Sequence, residues 1–352
     1  MRYFIGVDVG GTTTTLAIGN DRREILAVAE QVPTRSEQGP QGVIRAIVEA
    51  GVALVGKMGG TIADVVAAGL ATPGPASLDG QLHNSPNLKH PDWNGCPIRG
   101  RLQEAFRVLN PNLHVRYIGD GQAAALGEFS IRSRKFSWKQ IPGSQLPDQV
   151  PRSLFMLIVG TGLGGGAVID GRAVQGARGR AGHGGHVSLP PDAFRYEHDR
   201  QLLVGNAYSS AESAISLTAL THQLGYRLGL EQWRGHPLNS APGSIRDKAK
   251  RLRDLAGDGD ALANELFDDQ ARALGIALLD ANYIGDYDLL VIGGGVSDLS
   301  AAVRGRYLQL VIESYRAHAL DGFKDGVSFE FSICGDDAPV IGAVAWAATD
   351  AV

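Results

Sequence analysis

Two short glycine-rich stretches carry the clearest chemistry in this chain of 352 residues. Residues 8–14 read Asp-Val-Gly-Gly-Thr-Thr-Thr, and residues 160–166 read Gly-Thr-Gly-Leu-Gly-Gly-Gly. Where no Cβ stands in the way, backbone N–H groups at such turns approach phosphate oxygens closely. Thr12, Thr13 and Thr14 add hydroxyl donors to the first turn. Both stretches therefore have the composition of a phosphate-binding turn.

Each turn lies between two predicted strands, residues 2–9 and 12–18 for the first, and 153–159 and 167–169 for the second. Neither turn is a Walker motif, since no Gly-Lys-Ser/Thr follows, and neither is a dinucleotide fingerprint, since a strand follows it and not a helix. A single Gly-Gly hairpin would serve equally as a purely structural turn. The repetition, together with Gly293-Gly294-Gly295 after a buried strand, favours a nucleotide site. We predict nucleotide contacts at Asp8, Gly10, Gly11, Thr12, Thr13, Thr161, Gly162, Gly164, Gly165, Gly294 and Gly295.

The duplicated strand–turn–strand unit predicts an α/β protein of two similar domains, with the ligand in the cleft between them. The predicted boundaries are residues 1–119, completed by a C-terminal helix at 339–352, and residues 120–338. Hydrophobic periodicity and turn residues predict the remaining elements. These are strands at 24–32, 65–70, 114–118, 289–292 and 327–333, helices at 40–57, 122–129 and 300–317, mainly helical stretches at 206–228 and 244–284, and a polar excursion at 132–152.

The composition limits the classes of function. Hydrophobic residues make up 44% of the chain and charged residues 20%, as in ordinary globular proteins. The formal net charge of -4 argues against a nucleic-acid binder, which usually carries a basic stripe. No apolar run approaches a membrane span, and no leader segment is visible. The two cysteines, Cys96 and Cys334, are expected to be reduced thiols of a cytoplasmic protein.

Asp120 is the strongest candidate for a catalytic base. It follows a predicted strand, stands between Gly119 and Gly121, and precedes a predicted helix. Phosphoryl transfer to an alcohol needs a carboxylate near the attacking hydroxyl. An aspartate at this place would serve equally as the N-cap of the helix that follows. From the residues alone, both interpretations stay open.

The phosphate turn at residues 8–12 resembles that of the actin, hexokinase and heat-shock ATPase fold. Within that fold the chain resembles the ROK family of bacterial sugar kinases, repressors and open reading frames. The matching segments run nearly end to end. They are residues 71–74, 85–88, Asp120 with the alanine-rich helix containing Leu126-Gly127-Glu128, 160–166, 181–186, Glu212, 293–295 and Gly342-Ala343.

The resemblance implies an ATP-dependent hexose kinase with Asp120 as general base. The carboxylate of Asp8 is a candidate to hold Mg²⁺ through water, since Mg²⁺ keeps several waters. The resemblance implies sugar contacts at Asn87, His186 and Glu212. Taken singly, these three would be a turn residue, a satisfied core histidine and a solvated helix residue. Gly119, Asp120 and His183 complete the predicted sugar site. Many ROK proteins are dimers, so the resemblance also implies a homodimer.

The chain departs from the family pattern in three places. Gly119 stands where the family usually has asparagine, and His183 stands where it usually has glutamate. The cysteine cluster of many members is missing, because no cysteine lies between Cys96 and Cys334. We therefore expect no family-type zinc site. His183, His186 and His198 could in principle bind a metal, but their spacing is not a known structural zinc pattern, so we expect no metal there.

Three functions compete. The first is a kinase for glucose, another hexose or an amino sugar. The second is a non-catalytic sugar or nucleotide sensor of the same fold, suggested by Gly119 and His183. The third is a transcriptional repressor, which we disfavour because the chain is acidic and begins directly at the phosphate-turn strand. The partner expected in the first two cases is a small sugar, with no nucleic acid and no membrane.

Overall fold

The computed structural model describes residues 1–349. Its strands are β1 Tyr3–Val9, β2 Thr13–Asn20, β3 Glu24–Val28, β4 Val32–Pro33, β5 Val65–Thr72, β6 His114–Gly119, β7 Ser137–Trp138, β8 Ser153–Val159, β9 Leu163–Ile169, β10 Arg172–Ala173, β11 Leu289–Gly294 and β12 Ser328–Phe331. Its helices are α1 Pro40–Lys57, α2 Ile98–Arg107, α3 Asp120–Arg132, α4 Ala211–Ile215, α5 Leu217–Leu228, α6 Ile245–Lys250, α7 Leu252–Gly257, α8 Ala261–Gly285, α9 Ala301–His318 and α10 Ala338–Ala347.

The chain divides into two compact units. The first unit comprises residues 1–154, 166–182 and the stretch from residue 333, and the second unit comprises residues 155–165 and 183–332. In this division α3 and the excursion after it lie in the first unit. The domain boundary predicted at residues 119 and 120 stays a prediction.

The first sheet has the strand order β6-β5-β1-β2-β3-β7, and β4 pairs with β2 off this path. β1 and β2 form the predicted hairpin, with Asp8 opposite Thr15 and Val9 opposite Thr14. β5 runs parallel to β1, and β6 runs parallel to β5. Because parallel strands end at the same edge of a sheet, the carboxyl ends of β1 and β6 lie on that edge, one strand apart.

Both faces of the first sheet are covered. On one face Ile5, Val7 and Val9 join a buried core with residues of α1 and α2, among them Ile47 and Phe106. The residues between them in β1 point to the opposite face, since side chains alternate along a strand. A Cβ added at Gly6 would overlap the backbone of Val340 in α10. Helix α10 thus covers the second face.

Glycines let α10 approach its neighbours at backbone distance. A Cβ at Gly342 would overlap the carbonyl of Ala123 in α3, and a Cβ at Gly127 would overlap the carbonyl of Ala338. The family-like segments containing Gly127 and Gly342 therefore have a packing role, which holds α3 against the sheet. Helix α10 has proline in its first turn, as predicted. The last three residues of the predicted helix at 339–352 lie outside the described residues.

The second sheet has the order β10-β9-β8-β11-β12, with β11 and β12 parallel. The stretch predicted as helical at 206–228 is α4 and α5, separated at Ser216, whose side chain caps α5. The stretch predicted at 244–284 is three helices, α6, α7 and α8. The last break contains Gly259 with φ +87, which favours glycine and ends α7.

Three further predictions needed correction. The strand predicted at 24–32 is two strands, because the chain leaves β3 and returns to the start of β2, where Thr14 pairs with Val32. Helix α3 begins two residues earlier than predicted, at Asp120. The excursion predicted at 132–152 includes the short strand β7, which pairs with β3. Within residues 1–349, no helix combines the length and apolarity that crossing a bilayer requires.

Candidate functional site

The first glycine turn is supported by the hydroxyl groups of Thr34 and Ser36, which the sequence did not single out. The hydroxyl of Thr34 donates to the carbonyl of Gly10 at 2.8 Å, and that of Ser36 donates to the carbonyl of Gly11 at 3.0 Å. Thr14 is buried, and its hydroxyl lies 2.9 Å from that of Thr34. Since a hydroxyl has one hydrogen, Thr14 donates to Thr34. Thr14 therefore supports the turn and does not face a ligand, contrary to the expectation.

The turn itself leaves its ligand-facing groups accessible. Gly10 N donates to Thr13 O at 2.8 Å, which closes the hairpin. Thr12 is exposed, and Gly10, Gly11 and Thr13 are half-buried. A Cβ at Gly11 would meet the carbonyl oxygen of Asn87 at 2.5 Å. The predicted phosphate turn and the predicted sugar residue Asn87 are therefore in direct backbone contact, and Asn87 is exposed.

Asp8 and Asp120 form an electrostatically coupled pair of half-buried carboxyls at the shared edge of the first sheet. The pKa of Asp8 is raised to about 8, mainly by burial and in addition by the negative charge of Asp120. Burial raises the pKa of Asp120 to about 6, against hydrogen bonds from backbone N–H groups that lower it. The N–H of Gly121 donates to Asp120 Oδ1 at 2.7 Å. Asp120 is thus ionised at neutral pH and more basic than a free aspartate.

Asp120 is the first helical residue of α3 and not its N-cap. The N-cap is Gly119, with φ -68 and ψ 149. The N–H of Gly119 donates to Gln122 Oε1 at 3.3 Å, so the glutamine side chain completes the helix start. The N-cap interpretation of Asp120 is therefore wrong, although its Oδ1 accepts from Gly121 N in the first turn of α3.

The second glycine turn is built around Glu212. Leu163 N donates to Glu212 Oε2 at 2.9 Å, and a Cβ at Gly162 would meet the same oxygen at 3.0 Å. Thr161 and Gly164 are exposed at the turn, and Gly162 and Gly165 are half-buried. Glu212 Oε1 has no hydrogen-bond partner within residues 1–349. Glu212 is thus not a merely solvated helix residue, since it binds the turn with one oxygen.

The start of α5 secures the same turn. Leu217 N donates to Gly160 O at 2.9 Å, and the hydroxyl of Thr218 donates to Thr161 O at 2.9 Å. Gly294, with φ +80, lies against the backbone of Val159 at the end of β8. The third glycine cluster therefore lies beside the second turn, within the second unit.

A cavity of about 200 Å³ opens next to this turn. Its lining is apolar with a few polar and cationic groups, and the sequence pointed to only three members, Gly160, Thr161 and Gly295. The residues that sequence reasoning missed are Val159, Leu217, Leu220, Ala249, Lys250, Arg253, Phe267, Gln270 and Val296.

His183 and His186 are both exposed; His183 is the N-cap of a short 3₁₀ helix, and His186 is its last residue. Their ring centroids lie 6.1 Å apart. A Cβ at Gly185 would overlap the carbonyl of Leu163, so this segment packs directly on the second turn. Ala211 N donates to Val187 O at 2.9 Å, which places the residues next to His186 and Glu212 side by side. His186 is therefore not a buried core histidine.

The ROK family profile matches residues 4–350. The chain belongs to the ROK family. It is 27% identical to a glucokinase of Halalkalibacterium halodurans over 347 residues, 97% of this chain and 93% of that one. The ROK hexokinase of Thermus thermophilus superposes with a TM-score of 0.74 at 27% identity, covering 99% of both chains. A ROK family glucokinase of Streptomyces griseus in complex with glucose and AMPPNP gives 0.71 at 26% identity, covering 98% of this chain and 99% of that one.

These matches extend along the whole chain, so this ROK protein is a sugar kinase with the actin-like ATPase fold that the resemblance implied. The first unit brings together Asp8, the turn at Gly10 and Gly11, Asn87 and Asp120. The second unit brings together the turn at residues 160–165, Gly294, His186 and Glu212. Their binding roles stay predictions.

At Gly119 the chain lacks the side chain of the asparagine that the family usually has, and the local structure does not require glycine there. Its φ and ψ lie where any residue is allowed. The nearest atom to an added Cβ is Gln122 Oε1 at 3.4 Å, an ordinary contact. Neither strain nor crowding therefore requires glycine beside Asp120 in this ROK protein.

Proposed function

We propose that Asp120 is the general base with which this sugar kinase activates a sugar hydroxyl toward the γ-phosphate of ATP. The observation that carries the proposal is a half-buried carboxylate at the start of α3, in the same unit as the first glycine turn. The sugar oxygen forms the new bond to the γ-phosphorus, the bond from that phosphorus to the bridging oxygen of ADP breaks, and the hydroxyl proton passes to Asp120. A base with a pKa near 6 combines ionisation at pH 7 with useful proton affinity.

The nucleotide contacts follow from the two turns and the cavity. We assign phosphate contacts to the first turn, which Gly10 closes, through the N–H groups of Gly11 and Thr12 and the hydroxyls of Thr12 and Thr13, and to the turn at residues 161–165. The cavity next to Gly295 takes the base and ribose against apolar walls. The Streptomyces griseus relative, whose complex contains AMPPNP, supports this assignment at the level of the family.

The carboxylate of Asp8 fits Mg²⁺, a hard cation that prefers oxygen ligands and keeps several waters. Ionisation of Asp8 is opposed by burial and by the charge of Asp120, and a cation would relieve both costs. Within the described residues no three His, Cys, Asp or Glu side chains form a metal cluster. We propose that Asp8 holds Mg²⁺ through water, and that the bound ion neutralises phosphate charge during transfer.

We propose sugar contacts at Asn87, Gly119 and Asp120 in the first unit, and at His183, His186 and Glu212 in the second unit. Amide, imidazole and carboxylate groups all pair with hydroxyls. Glu212 keeps one oxygen for this purpose. A hexose is the proposed acceptor, because the relatives with printed activities are kinases of glucose and related sugars.

A coupled assay of ADP release over a panel of hexoses and amino sugars tests the proposal. We expect ADP formation that depends on one class of sugar and on Mg²⁺. Tight sugar binding, measured by calorimetry, without ADP release would support the sensor that Gly119 suggests. No response to any sugar in either measurement would refute both functions.

A further inference from the structure

Gln122 uses its whole side chain to bind backbone groups around the start of α3. Its Oε1 accepts from the N–H of Gly119, and its Nε2 donates to Ala181 O at 2.9 Å and to Gly179 O at 3.3 Å. Gln122 is only 4% exposed. One acceptor and two donors are what a glutamine amide offers, so a nearly buried side chain has its full set of partners.

The segment that Gln122 binds has little structure of its own. Residues 174–182 form no helix or strand. Gly176, Gly179 and Gly182 all have positive φ, at +72, +78 and +95. Two internal backbone bonds cross the segment, from Ala181 N to Gln175 O at 3.0 Å and from Gly179 N to Gly176 O at 3.5 Å. The path of this glycine-rich stretch therefore depends on outside contacts, and the chain continues from it directly into His183.

The first turn of α3 also packs against strand β9, which precedes this segment in the chain. A Cβ at Gly166 would overlap the carbonyl of Gly121 and meet the Cα of Gln122 at 2.7 Å. Strand β9 thus packs against the backbone next to Asp120, and Gln122 fixes the stretch that follows β9 and β10. The two residues after Asp120 therefore contact this part of the chain in two ways: Gly121 and Gln122 pack against Gly166, and the Gln122 amide binds residues 179 and 181.

We propose that Gln122 is a positioning residue for phosphoryl transfer, which acts by joining the base-bearing start of α3 to the segment at 179–182. The inference rests on the proposed function. Gln122 contacts no reacting atom. It sets the path of the chain that leads into His183, while its Oε1 holds the N-cap next to Asp120. Loss of its bonds affects sugar use and turnover and leaves use of ATP unchanged.

The test compares Gln122→Met, which keeps length and removes every hydrogen bond, with the matched control Gln103→Met. Gln103 lies in α2 of the same unit, where its Oε1 accepts from Val115 N at 3.0 Å. It therefore reports the structural cost of losing a glutamine–backbone bond away from Asp120. Both variants and the wild type are measured for melting temperature, kcat, KM for sugar, KM for ATP, and hydrogen–deuterium exchange.

We expect kcat/KM for sugar to fall about 10- to 100-fold in Gln122→Met, the scale of a small misplacement of reacting groups, with KM for ATP within about twofold of wild type. Exchange is expected to rise in peptides covering residues 174–182 only in this variant. Gln122→Glu should rescue little, because a carboxylate cannot donate to two carbonyls.

Equal kinetic effects of the Gln122 and Gln103 variants, or wild-type kcat/KM for sugar in Gln122→Met, would overturn the inference. So would unchanged exchange at residues 174–182, and that readout needs no turnover. If the wild type itself releases no ADP with any sugar, the proposed function fails, and the exchange result alone decides whether Gln122 holds the segment.

Discussion

Substitution of Glu212 tests the second turn most directly, because its Oε2 binds the turn and its Oε1 has no hydrogen-bond partner within residues 1–349. Leu163 N donates to Glu212 Oε2 at 2.9 Å, and Leu163 is buried. Hydrogen bonds to charged groups contribute about 1.5–3 kcal/mol, and leaving a buried N–H unpaired costs about 1–3 kcal/mol. Since 1.4 kcal/mol is a factor of ten, Glu212→Ala should raise KM for ATP about 10- to 100-fold by loosening the turn.

Glu212→Gln separates the hydrogen bond from the charge. The amide oxygen still accepts from Leu163 N, but a neutral bond is weaker by about 1 kcal/mol, so KM for ATP should rise only about fivefold. Both variants should also raise KM for sugar, because Oε1 is changed as well. The measurement is initial-rate kinetics with each substrate varied at saturation of the other.

Two results would refute this reasoning. An unchanged KM for ATP in Glu212→Ala would mean that the bond to Leu163 does not organise the turn. A lower KM for ATP in Glu212→Gln would mean that the carboxylate repels nucleotide phosphates more strongly than it orders the turn.

Three further predictions follow from the first unit. The raised pKa of Asp120 predicts that kcat/KM for sugar falls below about pH 6, roughly tenfold per pH unit, and a flat profile from pH 5 to 7 would exclude Asp120 as the base. Asp8 keeps its proton in the folded protein up to about pH 8 but loses it near pH 4 when unfolded, so the stability of the wild type falls between these pH values. Without nucleotide, the melting temperature of Asp8→Asn minus that of the wild type should therefore grow from pH 5 to 8. A constant difference would contradict the assigned pKa. Gly119→Asn should keep the wild-type melting temperature, because an added Cβ meets Gln122 at 3.4 Å, an ordinary contact. The variant should change KM for sugar and leave KM for ATP unchanged. A large loss of stability would show that the space beside Gly119 is not free.

The parts of the fold that sequence revealed are those set by local patterns. The hairpin of β1 and β2 follows from alternating β-formers around Gly10-Gly11, and the position of Asp120 follows from a strand that ends where a helix begins. Family-like segments located Asn87, His186 and Glu212 as well. Local pattern also gave approximate bounds for α1, since apolar residues recur at helical spacing along it.

The remainder depends on contacts between residues far apart in the chain, which no local pattern encodes. Gly11 touches Asn87 across 76 positions, and Leu163 binds Glu212 across 49. The glycine at 342 had no visible reason until its contact with α3 was known. The cavity beside the second turn draws its walls from α5, α6, α7 and α8, so its apolar residues look like ordinary core positions in the sequence.

The central claim is that Asp120 removes the proton of the sugar hydroxyl. The most direct test is Asp120→Asn, with kcat from the ADP-release assay and dissociation constants for sugar and ATP from calorimetry. Asparagine has nearly the same shape but cannot take a proton at neutral pH. The account predicts that kcat falls at least about 100-fold while both dissociation constants stay within about tenfold of wild type. A variant that retains kcat within about threefold of wild type would contradict it.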